Sequence, residues 1–383
     1  EKEQFEMKEW SKKNQFNSFN SMKGLLYSKW YEAIVEWRDG KKDAPLPPIE
    51  VSLDPFHACN LMCEHCNAHR YLTDPSKIDS GIRMTDDHIM NLTRYLGEWG
   101  VKAICYGGGG EPTLHTKLGD ALVLSKSLGV HNSIATNGTN FSDKLVEQAV
   151  ASCRWIGISV DSANAETYVI GRRANKFNDT ITNIKRLAAE AKRTGAQCDI
   201  GFKFLIFDYN QHEIYDACKL AKETGARDFH ARPADWRHQG LGEWQKKSSE
   251  YDLEKIQEQF RLCHNLETED FRVFTVTHKF NEDFTPRRDF TGCYASPICI
   301  QLCANGKIYL CPDVRHTDDY LLGEHFPDPN NIGIIWGNDN HRRLVFDEDS
   351  CQACTSRCTF SPYNLQCEKL FIKDEDPFCW RFV

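Results

Sequence analysis

Residues 49–66 read IEVSLDPFHACNLMCEHC. The apolar run at 49–54 has the length and composition of a buried strand. A loop follows at once, carrying Cys59, Cys63 and Cys66 at spacings of four and three. In parallel α/β folds, chemistry sits just past the C-terminal ends of strands. Structural zinc sites take four ligands, commonly from two separated Cys-x-x-Cys pairs. Here one loop offers three thiols. A four-iron cluster held by three thiolates keeps one iron without a protein ligand, and that open coordination position is a place for a second molecule to bind. Zinc completed by His57, His65 or a distant cysteine is the competing reading.

Outward from this loop the chain alternates. Strand-like runs at VKAICYG (101–107), HNSIAT (131–136), WIGISV (155–160), CDIGFKFLI (198–206) and ARDFHARP (226–233) are separated by amphipathic stretches at 85–100, 118–129, 141–153, 177–195 and 212–225. Several of these stretches end at Gly, as helices commonly do. Six strands alternating with helices predict a parallel sheet with right-handed crossovers. An eight-fold barrel, a six-fold partial barrel and an open doubly wound sheet all fit that alternation. Residues 20–38 have helical spacing and lead through Gly40 into APLPP. Residues 236–290 read as a polar, partly helical connector. From 291 the composition shifts to dense Cys, Gly, Pro and Asn, which reads as a small unit too poor in apolar residues to hold itself together without metal.

Composition narrows the function classes. The chain has 383 residues and a net charge of −8, which disfavours a nucleic-acid partner. No apolar run reaches membrane-spanning length, and residues 1–13 lack the apolar core of an export signal, so the reading is cytoplasmic. Seventeen cysteines, an odd number in a long chain, argue for metal ligation over a disulfide scaffold. Three lie at 59–66 and nine after residue 290; Cys105, Cys153, Cys198, Cys218 and Cys263 are scattered between and read as core thiols.

Two further constellations sit at strand ends. YGGGGEP (106–112) closes the second run. Its glycines allow close backbone approach to a ligand, and Glu111 adds a charge suited to an ammonium group. A phosphate cradle is the competing reading, but no Gly-Lys-Ser/Thr follows. ISVDSANAETY (158–168) and GRRANKF (171–177) close the fourth run.

With these residues in place, the chain resembles the radical S-adenosylmethionine (SAM) superfamily over about residues 48–370. The resemblance implies a partial (β/α)6 TIM-like barrel over 48–235, after an N-terminal helical extension (1–47), and before the connector (236–290) and a cysteine-rich unit (291–383). It implies a 4Fe-4S cluster on Cys59, Cys63 and Cys66, whose open iron chelates SAM and cleaves it to a 5′-deoxyadenosyl radical. His65 stands where the family often has an aromatic residue. By the same resemblance Gly108, Gly109, Gly110 and Glu111 line the SAM site, with Ser159, Asp161 and either Arg172 or Arg173 near the SAM carboxylate or ribose. Asn137 either shapes the pocket or serves only an Asn-Gly turn.

The order of cysteines in 293–313, the segment NNIGIIW (330–336) and the Cys-x-x-Cys at 351/354 resemble the SPASM/twitch extension, which binds one or two auxiliary 4Fe-4S clusters. The resemblance assigns Cys293, Cys311, Cys351 and Cys354 to one cluster; zinc on the same four is the alternative. Cys299, Cys358, Cys367 and Cys379 stand for a second. An auxiliary cluster that accepts an electron implies net dehydrogenation, with Asp313 as candidate base. Epimerisation, with Cys303 or Cys358 returning a hydrogen atom, is the second reading, and a metal-bound structural protein the third. The implied substrate is a small molecule, sugar or peptide, with a small molecule slightly favoured because residues 1–45 read as a helix and tail. The implied electron donor is a flavodoxin or ferredoxin.

Overall fold

The computed structural model describes residues 21–63, 65–66, 68, 81–234, 251–277, 280, 290–354 and 358–372. One sheet organises it. Seven strands run parallel in sequence order: β1 (Glu50–Leu53), β2 (Ala103–Tyr106), β3 (His131–Thr136), β4 (Cys153–Ser159), β5 (Asp199–Ile206), β6 (Asp228–Pro233) and β7 (Arg272–Thr275). On the other side of β1 the sheet continues through β8 (Cys299–Leu302), β9 (Lys307–Tyr309) and β10 (Leu321–Glu324). β8 lies parallel to β1, pairing Glu50 with Cys299 and Leu53 with Leu302, while β9 and β10 are antiparallel. The sheet order begins at β10 and ends at β7, so the barrel is partial.

Helices cover the outer face: α1 (Ser28–Arg38), α2 (Asp86–Trp99), α3 (Leu118–Ser127), α4 (Asp143–Ser152), α5 (Ala165–Arg172), α6 (Phe177–Thr194), α7 (Ile214–Glu223) and α8 (Leu253–His264). Local sequence sets their ends. The Thr85 side chain caps α2 by accepting from His88 N–H at 3.1 Å, Asp86 and Asp87 follow in the first turn, and Gly100 ends the helix at φ 103°. Ile89, Leu92 and Leu96 bury one face of α2. Along the strands, Val51, Leu53, Ile104, Tyr106, Ile134, Ile156 and Ile158 fill the layer between sheet and helices. Cys153, Cys198, Cys218 and Cys263 are buried in that core as expected, whereas Cys105 is only partly buried.

Two features depart from the sequence reading. The stretch expected as a helical connector contributes α8 and also the strand β7, which extends the barrel beyond six strands. The cysteine-rich stretch is not starved of apolar contacts, because it borrows them. β8 joins its backbone to β1, and Tyr294, Ala295, Ile298 and Cys367 pack against Tyr31 and Ile34 of α1. Trp37 of α1 lies 4.8 Å, centroid to centroid, from Phe346 and 4.9 Å from His341. That unit carries the helices α9 (Asn331–Ile335), α10 (Asp339–Phe346), α11 (Glu348–Ala353) and α12 (Ser361–Cys367). Among the described residues no helix is long and apolar enough to cross a membrane.

Candidate active site

The loop after β1 carries Cys59, Cys63 and Cys66 to the C-terminal rim of the barrel, where the ends of β2, β3 and β4 each hold it. From β2 comes the glycine turn. A Cβ on Gly110 would lie 2.5 Å from Ala58 O and 2.8 Å from Ala58 N; one on Gly109 would lie 2.5 Å from Asp54 Oδ2. Gly108 sits at φ 83°, a conformation that L side chains rarely adopt. The glycines are therefore required for the cysteine loop to lie on the turn, and Glu111 N–H donates to Ala58 O at 2.8 Å across that contact.

Glu111 does not present a bare charge. Its buried carboxylate accepts from Thr113 N–H (3.1 Å), Thr113 Oγ1 (2.6 Å), Thr136 Oγ1 (2.6 Å) and Asn137 N–H (2.8 Å). Burial pushes its pKa up, against the pull of those four donors. Its side chain locks the end of β2 to the end of β3. Asn137, at the end of β3, reaches the cysteine loop by donating to Asn60 Oδ1 at 2.8 Å and approaching Cys59 Sγ at 3.7 Å. It also precedes a turn, since Gly138 has φ 75°. Both readings of Asn137 therefore hold together.

From β4 come Asp161 and α5. Asp161 sits at φ 61°, accepts Leu205 N–H at 2.7 Å, and pairs with Arg172 in a buried ion pair. Arg172 Nη1 also approaches Cys63 Sγ at 3.5 Å, and His65 Nε2 lies 3.4 Å from Asp161 Oδ2 with its ring 4.7 Å from that of Phe207. His65 thus keeps a ring contact at its position and adds a polar tie. Burial pushes the Asp161 carboxyl up, but Arg172, His65 and the Leu205 N–H together hold it below the usual carboxylate range. The Asp161 charge in turn raises the pKa of Arg172 despite its burial. The two arginines are placed differently: Arg172 is the last residue of α5 and buried, whereas Arg173 is its left-handed C-cap and exposed. Ser159 lies half-buried one strand from Lys203, its register partner.

The second thiol site lies in the C-terminal unit. Cys293, Cys311, Cys351, Cys354 and Cys358 line one pocket, together with Asp313, Val314, Tyr320 and Phe360. Burial pushes the Cys293 and Cys311 thiols well above their ordinary value, and the neighbouring thiolates add to it. Asp313 faces the same pocket but accepts from Thr359 N–H (2.8 Å) and Thr359 Oγ1 (3.0 Å), tying the segment after Cys358 to the one after Cys311. The thiols expected for a second cluster have these surroundings among the described residues. Cys299 lies in β8 with its Sγ 3.8 Å from Glu50 Oε1, Cys367 is packed against Tyr31, and Cys358 joins the first pocket; Cys379 lies outside the described residues. Cys303 follows β8, buried, with its Sγ 3.9 Å from Asp54 Oδ2.

Sequence reasoning missed several residues. Asp54, fully buried, pairs with Arg315 at 3.1 Å beside the glycine turn. Its signal was an acidic residue directly after an apolar strand. Lys203, in the middle of apolar β5, lies 5.8 Å over the Trp155 ring, and burial pushes its ammonium down to about 8. His230 is its register partner on β6, and Arg232 lies two residues further along that strand.

Residues 53–221 match the family model described as the radical SAM superfamily. Over that stretch the chain is similar to the radical SAM superfamily. It is 25% identical over 316 residues to mycofactocin maturase MftC of Mycobacterium ulcerans, covering 81% of this chain and 80% of that one. It is 29% identical over 178 residues to an AdoMet-dependent heme synthase of Methanosarcina barkeri, covering 45% and 46%. Streptococcus suis SuiB bound to SAM superposes with a TM-score of 0.59 at 16% identity, covering 79% of this chain and 69% of that one. A structure titled native anSMEcpe with bound AdoMet gives 0.55 at 16%, covering 83% and 88%. At such identities the likeness is one of fold, and the fold is the partial radical SAM barrel. The likeness brings SAM and a 4Fe-4S cluster as cofactors. The residues present fit them: three thiols on one loop, a glycine turn that any Cβ would block, and a buried arginine aimed at Cys63. Burial pushes the Cys59 thiol up to about 12, so it keeps its proton until a metal displaces it.

Proposed function

We propose that this radical SAM enzyme is an oxidoreductase that dehydrogenates a small polar or sugar-type substrate held against the inner face of the barrel. The observation that carries the reading is the pocket of five cysteines with Asp313. When bound, SAM and its cluster supply a 5′-deoxyadenosyl radical, and an auxiliary cluster supplies an electron acceptor. The chain's own residues do the rest. Cys59, Cys63 and Cys66 ligate the first cluster, with Arg172 near Cys63 balancing thiolate charge. Gly108, Gly109 and Gly110 give the backbone close access to SAM, Glu111 and Asn137 hold that backbone in place, and Asp161 with Arg172 forms the polar wall beside it. Cys293, Cys311 and two of Cys351, Cys354 and Cys358 ligate the auxiliary cluster. Lys203, His230 and Arg232 orient the substrate. Asp313 accepts the substrate proton as the radical is oxidised. A flavodoxin or ferredoxin delivers the electron that starts the cycle.

A second reading has its own support. The match to a maturase runs along most of both chains, which favours a peptide substrate. Epimerisation needs a thiol donor, for which Cys303 and Cys358 are the candidates. The deciding experiment incubates the anaerobically reconstituted enzyme in deuterated buffer with candidate sugars and peptides. A product lacking two hydrogens supports dehydrogenation. An isomer carrying solvent deuterium refutes it in favour of epimerisation. Absence of 5′-deoxyadenosine with iron and SAM both bound overturns the whole assignment.

A further inference from the structure

Beside the glycine turn, three side chains from three segments meet. His57 belongs to the loop after β1, Cys303 follows β8, and His316 follows the turn at Pro312–Val314. One ligand atom from each lies within 4.8 Å of the other two. His57 and Cys303 are fully buried and His316 is half-buried. The two imidazole rings meet edge to face, with centroids 4.9 Å apart. His316 is one of three described non-glycine residues with positive φ, at 59°.

We propose that His57, Cys303 and His316 form a mononuclear site for a borderline-soft divalent ion, Zn2+ by its donor set, separate from the iron-sulfur sites. Two imidazoles and a thiolate are a donor combination that zinc takes in tetrahedral sites, and three protein ligands leave the fourth position for water. Bonds of about 2.0–2.3 Å place tetrahedral ligand atoms closer together than the 4.8 Å bound, so the side chains draw inward as the ion enters. The backbones they hang from are fixed. His57 N–H donates to Ile82 O at 2.8 Å, and the Cys303 carbonyl is bonded by His325 Nε2 at 3.0 Å. His325 is in turn bonded to His88 at 2.8 Å. Coordination through His57 Nδ1 moves the ring proton to Nε2 and gives up the long 3.3 Å contact from Ala304 N–H. Charge is compatible. One thiolate and two neutral imidazoles leave the ion with one net positive charge, beside the Asp54–Arg315 pair, whose Asp54 stands 3.9 Å from Cys303 Sγ.

The ion would fasten the radical SAM loop to the cysteine-rich unit. His57 is two residues before Cys59, whereas Cys303 and His316 flank the strand that leads to Cys311. The test uses the full-length protein with its clusters loaded, titrated with Co2+, whose thiolate charge-transfer band and tetrahedral d–d bands report a sulfur-containing site. We expect one equivalent to bind. The charge-transfer band is lost in C303S, and in H316Q affinity falls by at least about 10–100-fold. Iron content is measured beside each variant. Should C303S load less iron, H316Q alone decides. No Co2+ binding by the wild type, an undiminished charge-transfer band in C303S at wild-type iron content, or unchanged affinity in H316Q overturns the site.

Discussion

Cys59, Cys63 and Cys66 lie within one short loop, whereas the pocket of the C-terminal unit draws its thiols from positions as far apart as 293 and 358. The first site is local in sequence and depends on the rim for its shape: β2 supplies the glycine turn, β3 supplies Asn137, and β4 with α5 supplies Asp161 and Arg172. The second is assembled by tertiary structure, from segments that β8, α1 and the Asp313–Thr359 bonds hold together. A local ligand set needs a pre-built platform. A dispersed one needs the fold around it, and its metal helps to complete that fold.

The contrast can be broken at several points, taken here from the largest expected effect. Cys63→Ala should reduce 5′-deoxyadenosine formation to the level without enzyme while iron in the C-terminal pocket is kept, as read by mass spectrometry and iron analysis. Cys293→Ala should do the reverse: iron falls by one cluster, SAM cleavage persists, and oxidised product is lost. Arg172→Ala leaves the Asp161 carboxylate buried without its cation and should cost about 3–5 kcal/mol in chemical denaturation. Arg173→Ala should stay within about 0.5 kcal/mol. If the two arginines behave alike, the rim does not rest on that pair. Gly110→Ala forces a Cβ against the Ala58 backbone and should cost about 1–3 kcal/mol together with weakened SAM binding. Cys367→Ala should leave iron content unchanged and cost about 1 kcal/mol, because that thiol only packs.

Acid should act mainly on the rim. The Asp161 pKa is depressed in the folded protein, so its stabilising contribution is present above the ordinary carboxylate value and is lost as pH falls through the folded value. Wild type should therefore lose stability on acidification more steeply than Asp161→Asn, as followed by denaturant midpoint against pH.

Much of the barrel was legible because each signal was short-range. β3 could be read at its observed ends, and Gly100 and Gly195 marked helix ends through caps that are local in sequence. β7 escaped because the polar stretch around FRVFTV (271–276) was read as one helical connector. β8 was hidden among cysteines, and its pairing with β1 is a contact between residues 249 apart, which no local pattern encodes. The site divides in the same way. The three cysteines and the glycine turn stood out as motifs. The different placing of Arg172 and Arg173 rests on the left-handed cap, which the motif does not show. Glu111 was read as a ligand for an ammonium group; the donors that gather on its Oε1, Thr113 beside it and Thr136 on the next strand, were not legible in that motif.

The seam between β1 and β8 also has a meaning for synthesis. During translation, β1 emerges early with hydrogen-bonding groups on both edges, and β2 can cover one of them soon afterwards. The other edge waits until residues 299–302 have left the ribosome. Until then the nascent barrel presents an open edge beside its future catalytic loop, the kind of surface that recruits the wrong strand. The protein is thus exposed to misassembly for as long as residues 299–302 are unmade, and deleting them should be felt first as aggregation of the barrel rather than as loss of the auxiliary cluster alone.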